Sequence, residues 1–334
     1  MILLLGAGGY LGQAFAGELR RRGASFIPLT RNALDYTQFD LLFDYVRKMG
    51  PEFVINAVGY PGRPNVDGCE QAREMTLHQN TLLPQTIARV CLVTNTPWGH
   101  VSSACVYCGA KVMTGGETRI ERDLNRPEIR RLLAQHPDRV RGFTELDEPN
   151  FSFRCAPCSF YSGTKVLAEE AIKGEGRSYI WRPGMMFHER EEPRNLLCRL
   201  QRYPKIYDSV NCLSHRDEFV RACLDLWQRR APYGIYNMIN PGAVTNRQIV
   251  VMIERILKPS RRWEFWGSDE EFYRVAAKSP RSNAILDGSK LLAAGIRLRP
   301  VMESLEYCLR HWRPALDPAD HPGSPAFAAA TGTH

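Results

Sequence analysis

The first twelve residues constrain the fold more than any other stretch. Five apolar residues, Met1 to Leu5, run directly into Gly6-Ala7-Gly8-Gly9-Tyr10-Leu11-Gly12. A short continuous apolar run bounded by glycines reads as a buried strand, and the amphipathic pattern from Gln13 to Arg22 reads as the helix that follows. Glycines at such a junction permit a tight turn and let the backbone approach a pyrophosphate, while the free amides and dipole of the helix N-terminus favour an anion. Ser25 to Leu29 then reads as a second strand. This strand, helix, strand unit predicts a dinucleotide site at Gly6, Gly9, Tyr10, Leu11 and Gly12, with a purely structural turn as the alternative.

The alternation continues down the chain. Phe53 to Val58, Trp98 to Val106, Tyr179 to Arg182 and Gly234 to Ile239 have strand patterns, and Tyr36 to Met49, Cys69 to Asn80, Leu82 to Thr94 and Tyr161 to Lys173 have helical ones. Strands alternating with helices predict an α/β fold, a doubly wound parallel sheet of Rossmann type. On this reading 1–182 is a dinucleotide-binding domain carrying an irregular Arg-, Gly- and Pro-rich insertion at 109–157, with one helical piece near Pro127 to Gln135. Residues 183–313 are mainly a smaller C-terminal substrate domain, from which 215–240 returns to the sheet. Thr245 to Leu257, Asp269 to Ala277 and Met302 to Arg313 supply its helices. The Pro-, Ala- and Gly-rich segment 314–334 reads as a disordered tail.

Composition removes several classes of function. The formal charge of +8 is spread over dispersed arginines with no basic block interleaved with aromatics, so nucleic acid is not the expected partner. An anionic small molecule accounts for a positive field equally well. No stretch approaches the roughly 18 apolar residues of a membrane span. The apolar start also lacks the parts of a signal peptide, so no membrane partner is expected and the cytoplasm is the expected location. The ten cysteines read as reduced thiols rather than a disulfide framework. Cys105-x-x-Cys108 and Cys155-x-x-Cys158 have the spacing of zinc pairs, yet the gap between them is far longer than usual, and no metal is expected.

Cofactor choice is written after the second strand. A site for NAD places an acidic residue there, whereas this strand ends in Leu29-Thr30-Arg31. Arg31 can pair with a 2′-phosphate, which favours NADP and leaves NAD as the alternative; a solvated surface arginine is the bland reading. Asp35 caps either the adenine end of the cofactor or the next helix.

Tyr161-Ser162-Gly163-Thr164-Lys165 sets a phenol and an ammonium four residues apart, one helical turn from each other on one face. A lysine cation lowers the pKa of a neighbouring phenol, which can then pass a proton to or from a carbonyl oxygen during hydride transfer. Val101-Ser102-Ser103, at the end of a central strand, offers a hydroxyl to the same oxygen. In this order the glycine turn, serine and Tyr-x-x-x-Lys resemble the extended short-chain dehydrogenase/reductases. Further stretches narrow the resemblance: Gly62 to Glu70, Pro149-Asn150-Phe151, Ser159 to Ser162, Pro193-Arg194-Asn195, Gly234 to Asn237 and Pro280 to Asn283. They are similar to the nucleotide-sugar enzymes that complete rhamnose synthesis. Nearest are the bifunctional 3,5-epimerase/4-reductases acting on UDP- or dTDP-linked 4-keto-6-deoxyglucose. The dTDP-4-dehydrorhamnose reductases and GDP-fucose synthases are more distant.

The resemblance implies an NAD(P)H-dependent reductase of the 4-keto group of a nucleotide-linked 4-keto-6-deoxy sugar. By position Ser103, Tyr161 and Lys165 become its triad, and Asn80 the asparagine that supports the lysine. Ala57 and Gly59 line the nicotinamide side, and Asn195 and Arg281 fall where relatives touch the sugar nucleotide. Cys105 matches the cysteine that epimerases use as an acid/base, and Arg199 stands where the bifunctional relatives have a lysine. Releasing a guanidinium proton at neutral pH costs about 7 kcal/mol, against about 4 to 5 for a lysine, so the exchange weighs against 3,5-epimerisation. A nucleotide-sugar epimerase working without net redox, and a non-catalytic NADP-binding regulator, are the competing classes. Relatives commonly pair through the helix of Tyr161 to Lys173, which makes a homodimer the expected assembly.

Overall fold

The computed structural model describes residues 1–174 and 176–315. The expected tail, 314–334, lies outside the described residues from 316 onward.

Six parallel strands form the main sheet: β1 (Ile2–Leu5), β2 (Phe26–Leu29), β3 (Phe53–Asn56), β4 (Trp98–Val101), β5 (Ser178–Pro183) and β6 (Gly234–Met238). Their order is β6-β5-β4-β3-β1-β2. The apolar run at the N-terminus explains why β1 lies inside this sheet, since its residues alternate between two cores. Ile2 and Leu4 join the cluster that contains Phe15, Trp181 and Phe219, while Leu3 and Leu5 join the one built on Val46, Ile87 and Trp98. Helices α1 (Tyr10–Arg21) and α5 (Arg216–Gln228) cover the first face. Helices α2 (Phe39–Met49), α3 (Leu83–Val93) and α4 (Phe160–Ile172) supply residues to the second. Each fully buried leucine of β1 is worth about 1.5 to 3 kcal/mol. The expected doubly wound α/β sheet is what forms.

Because β1 has β2 on one side and β3 on the other, the connections diverge at the carboxyl ends of β1 and β3 and open a crevice there. Gly6 sits at one lip and Ala57 to Gly59 at the other.

Three elements differ from the sequence reading. The strand expected from Trp98 to Val106 ends at Val101, and after Ser102 and Ser103 the chain turns into a 3-10 segment, Ala104–Val106. The helix expected over Cys69 to Asn80 is broken at Ala72, resumes at Arg73–Leu77, and runs through a π-helical turn, His78–Leu82, directly into α3. Pro84 explains the turn: it has no N–H to give the carbonyl four residues back, that of Asn80, and the ladder widens to a bond from Leu83 N to His78 O. The insertion is not irregular. Ala110–Thr114 pairs antiparallel with Glu117–Glu121 and with Val140–Arg141, and the helix Pro127–Gln135 packs its Ile129 beneath them.

C-terminal to β5, the helices Leu196–Arg202, Asn246–Leu257 and Val301–Arg310 pack Leu197, Leu200, Ile249, Ile253, Leu305 and Leu309 into a cluster of their own. β6 returns from this segment to the main sheet.

Candidate active site

The glycine turn closes on itself at the end of β1. Gly6 has φ +78°, and a Cβ there would lie 2.9 Å from Val58 Cγ2. At Gly12 a Cβ would stand 2.0 Å from the Gly6 carbonyl oxygen. Gly9 N donates to that same oxygen at 2.9 Å, and no side chain caps α1, so amides of its first turn are left for an anion. Gly8 has open space where a Cβ would be. This cradle fits the pyrophosphate of a dinucleotide. Leu11 and Ala57 pack on the cluster of Phe15. Tyr10 is turned inward: its ring lies 5.6 Å from that of His188 with the Arg216 guanidinium 5.2 Å above it, and its buried hydroxyl has no partner among the described residues.

Arg31 is exposed just past β2 and makes no hydrogen bond or ion pair among the described residues. Asp35 accepts from Thr37 N at 3.2 Å, from the Thr37 hydroxyl at 2.6 Å and from Gln38 Nε2 at 2.8 Å, immediately before α2. These bonds hold its carboxyl below the usual range and brace the turn that leads into α2, whose own N-terminus has no side-chain cap.

Across the crevice, α4 presents Tyr161 and Lys165 to the end of β4. Lys165 is buried, donates to Val101 O at 3.1 Å and has its Nζ 6.0 Å from the centroid of the Tyr161 ring. Burial pulls its pKa down to about 8, with the Glu169 carboxylate opposing. Gly59 makes room for this ammonium, since a Cβ there would be 3.3 Å from Asn80 Oδ1 and 3.4 Å from Lys165 Nζ. Asn80, fully buried in the π turn, clamps the backbone of Tyr60: it accepts from Tyr60 N at 2.8 Å and donates to Tyr60 O at 2.9 Å. Its carboxamide thus holds the loop beside the lysine.

The sequence led us to expect a phenol acidified by the lysine. In the free protein the Tyr161 pKa is instead raised, because burial and then the nearby Cys105 outweigh a hydrogen bond with Ser103. Ser103 also accepts from Cys105 N at 3.1 Å. Burial raises the Cys105 thiol, while hydrogen bonds with Ser103 and Ser282 and the charges of Lys165 and Arg199 oppose the rise. The structure therefore brings Ser103, Tyr161, Lys165 and Cys105 to the end of β4, with the Arg199 charge acting on Cys105, and the Nε of Arg199 is buried without a hydrogen-bond partner among the described residues.

Two of the expected substrate residues are already engaged. Asn195 caps the helix Leu196–Arg202 through Oδ1, which accepts from Leu197 N at 3.1 Å, and its Nδ2 donates to His188 O and Arg190 O, both at 2.7 Å. Its side chain has nothing left for a ligand. Arg281 grips Asp67 with two bonds of 2.7 Å and lines a cavity of about 470 Å³ beside Cys108, together with Arg122, Asp123, Phe151, Tyr207 and Tyr273. That cavity includes neither Tyr161 nor Lys165.

Sequence reasoning missed Arg122 and Asp123, which the insertion folds back to the cavity, and the buried pair Glu169 and Arg182. A charge inside the strand pattern of Tyr179 to Arg182, and an acid one turn beyond Lys165, were the signals for that pair.

Among the described residues the His, Cys, Asp and Glu side chains that approach metal-site dimensions are Glu189, His215 and Cys308, not the two Cys-x-x-Cys pairs. His215 Nδ1 accepts from Glu218 N at 3.2 Å, so its proton sits on Nε2, 3.4 Å from Glu189 Oε2, and holds the Glu189 pKa at about 2. A metal would need that nitrogen's lone pair, and the cap denies it.

The family model described as RmlD substrate binding domain matches residues 1–313. The chain belongs to that family. This RmlD-family chain is 30% identical over 261 residues to the bifunctional dTDP-4-dehydrorhamnose 3,5-epimerase/dTDP-4-dehydrorhamnose reductase of Arabidopsis thaliana, covering 78% of itself and 77% of that protein. It is also 30% identical over 261 residues to a trifunctional UDP-glucose 4,6-dehydratase/UDP-4-keto-6-deoxy-D-glucose 3,5-epimerase/UDP-4-keto-L-rhamnose-reductase of the same plant, of which it spans only 35%. Its fold matches the crystal structure of the UDP-rhamnose synthase of Acanthamoeba polyphaga mimivirus with a TM-score of 0.77 at 20% identity, over 93% of this chain and 98% of that one.

Proposed function

We propose that this RmlD-family chain reduces the 4-keto group of a nucleotide-linked 4-keto-6-deoxy sugar, with a nicotinamide cofactor in the glycine cradle and NADP preferred over NAD. The observation that carries the reading is the convergence of Tyr161 and Lys165 on the end of β4, across the crevice from a turn in which Gly6 and Gly12 leave no room for a Cβ. The exposed, unpaired Arg31 supports the preference for a 2′-phosphate. A reduced nicotinamide, when bound, supplies the hydride.

The chain's own groups manage the oxygen. A phenol held protonated by burial is a donor, so Tyr161 passes its proton to the ketone oxygen as negative charge develops there, and the Ser103 hydroxyl holds that oxygen. Lys165, tied to Val101 O, places its cation beside the tyrosinate left behind. The cavity of Arg122, Tyr207, Tyr273 and Arg281 offers rings and guanidinium groups to the nucleotide end, and the Arg281 bond to Asp67 orients it for that contact. The curated relatives name both dTDP- and UDP-linked sugars, so the base is left to experiment.

A second activity, 3,5-epimerisation, is favoured by one observation: the Cys105 thiol lies within reach of the charges of Lys165 and Arg199. Arg199 lacks the acidity to return a proton from the opposite face, which makes it the slower activity.

Tyr161→Phe tests the reduction. With a 4-keto-6-deoxy sugar nucleotide, NADPH oxidation falls by at least about 100-fold, the low end for a lost general acid. NADPH affinity stays near that of the unmodified chain, because the cradle is a separate element. Near-normal turnover in this variant overturns the assignment.

A further inference from the structure

Three successive turns of α4 meet three successive residues at the end of β4. Lys165 donates to Val101 O at 3.1 Å, Ser102 donates through its hydroxyl to Glu169 Oε1, and Ser103 is among the groups that act on the Tyr161 phenol. Glu169 is 3% exposed and would be costly to bury alone. It is held by Arg182 of β5, whose Nε lies 3.0 Å from both carboxylate oxygens and whose Nη2 lies 2.5 Å from Oε2. The clamp continues outward. Arg182 Nη1 donates to the Tyr107 hydroxyl at 2.9 Å, which donates to Asp147 O at 2.5 Å, and the Asp147 carboxylate accepts from Lys111 of the insertion at 2.6 Å.

We propose that Glu169, clamped by Arg182, is a positioning residue for the reaction: it docks the helix of Tyr161 and Lys165 onto residues 101–103 and supplies a buried negative charge facing the Lys165 ammonium. The inference rests on the reductase reading for its catalytic consequence, but its geometry does not. Spacing carries the first half. Glu169 is one turn beyond Lys165, as Lys165 is beyond Tyr161, so a bond at the far rung fixes the rotation of the helix and with it the reach of the phenol to Ser103.

Electrostatics carry the second half. The Tyr161 ring lies 6.0 Å from the Lys165 ammonium, and the titratable groups that act on it by charge are Glu169 on its own helix, one turn on, His100 on β4, Cys105 after it, and Cys69 on the short helix Gly68–Gln71. His100 is kept neutral by full burial, and the thiols are held above their usual range by burial. The carboxylate in that set is Glu169, ion-paired to Arg182. Arg182 fixes the carboxylate through three bonds, two from Nε and one from Nη2.

Glu169→Gln removes the charge and keeps the shape. In the full chain labelled with 13C at lysine Cε, the resonance that vanishes in Lys165→Met reports the ammonium directly, without substrate. The proposal expects its midpoint to fall by at least one pH unit in Glu169→Gln. The alkaline limb of kcat for NADPH oxidation falls with it, and NADPH affinity stays within about twofold, since the cradle is a separate element. An unshifted lysine midpoint overturns the proposal, whatever happens to the rate. If Glu169→Gln does not fold because Arg182 is left unpaired, Glu169→Gln/Arg182→Met removes both charges, and the same midpoint shift is required of it. A shifted midpoint in a chain that reduces no 4-keto sugar would leave the clamp standing and the reductase reading fallen.

Discussion

Arg199 is the residue on which the second activity turns. On the helix Leu196–Arg202, its charge acts on the Cys105 thiol and its Nε is buried without a hydrogen-bond partner among the described residues, which suits a group that holds charge rather than one that releases a proton. Exchange of the C3 and C5 hydrogens of an unepimerised 4-keto substrate into deuterated water, without reductant, is therefore expected to be slow and to rise at least about tenfold in Arg199→Lys. Fast exchange by the unmodified chain, abolished in Cys105→Ser, would overturn that expectation. Residues of this kind were legible because their chemistry is tied to short spacings: Tyr161 to Lys165 is a helical turn, and Ser103 to Cys105 a strand end. Asn195 and Arg281 show the limit. A residue at the right position can have its bonds taken by backbone or by a partner such as Asp67, 214 positions away in the chain, and no local pattern records that. Glu169 and Arg182 were overlooked for the same reason, since the pairing is visible only once helix α4 and strand β5 are in place.

Elements carry a different kind of information. The glycine turn could be read from sequence because its constraint is local: Gly6, Gly9 and Gly12 must pack against one another and the next strand. Gly12→Ala places a methyl group 2.0 Å from the Gly6 carbonyl, where backbone rather than a flexible side chain must yield. We expect a loss of about 1 to 3 kcal/mol in urea unfolding, the range for overpacking. NADPH binding measured by fluorescence should weaken by at least about tenfold, because the amides move from the pyrophosphate. Unchanged affinity would contradict a cofactor role for the turn. The π turn at His78–Leu82 was legible only in part. Pro84 announces a missing N–H, but whether the chain kinks, breaks or widens is decided by what Asn80 can bond, and that partner is the backbone of Tyr60. The insertion was misread as irregular because its strands are short and their exposed faces are rich in charge, as in Glu117–Glu121, so alternation there carries little apolar signal.

At the scale of the whole molecule, two facts organise everything else. The sheet reverses its winding at β1 and β3, which opens the crevice proposed for the dinucleotide, and the C-terminal segment and the insertion meet at the cavity of Arg122 and Arg281, proposed for the nucleotide end of the substrate. The doubly wound sheet was written in the alternation of strand and helix patterns; the cavity was not, because its walls come from segments more than 150 positions apart. Between the two lies the end of β4, where Ser103, Tyr161 and Lys165 converge. No helix among the described residues is long and apolar enough to cross a membrane. On the proposed reading a hydride reaches the sugar's C4 at this junction. Incubation of the chain with UDP- or dTDP-linked 4-keto-6-deoxy sugar and NADPH deuterated at the transferable position tests this, with the sugar product read by NMR. Deuterium is expected at C4 in one-to-one ratio with NADPH consumed. Conversion of the sugar without consumption of NADPH and without label at C4, or no conversion of either substrate, would contradict it.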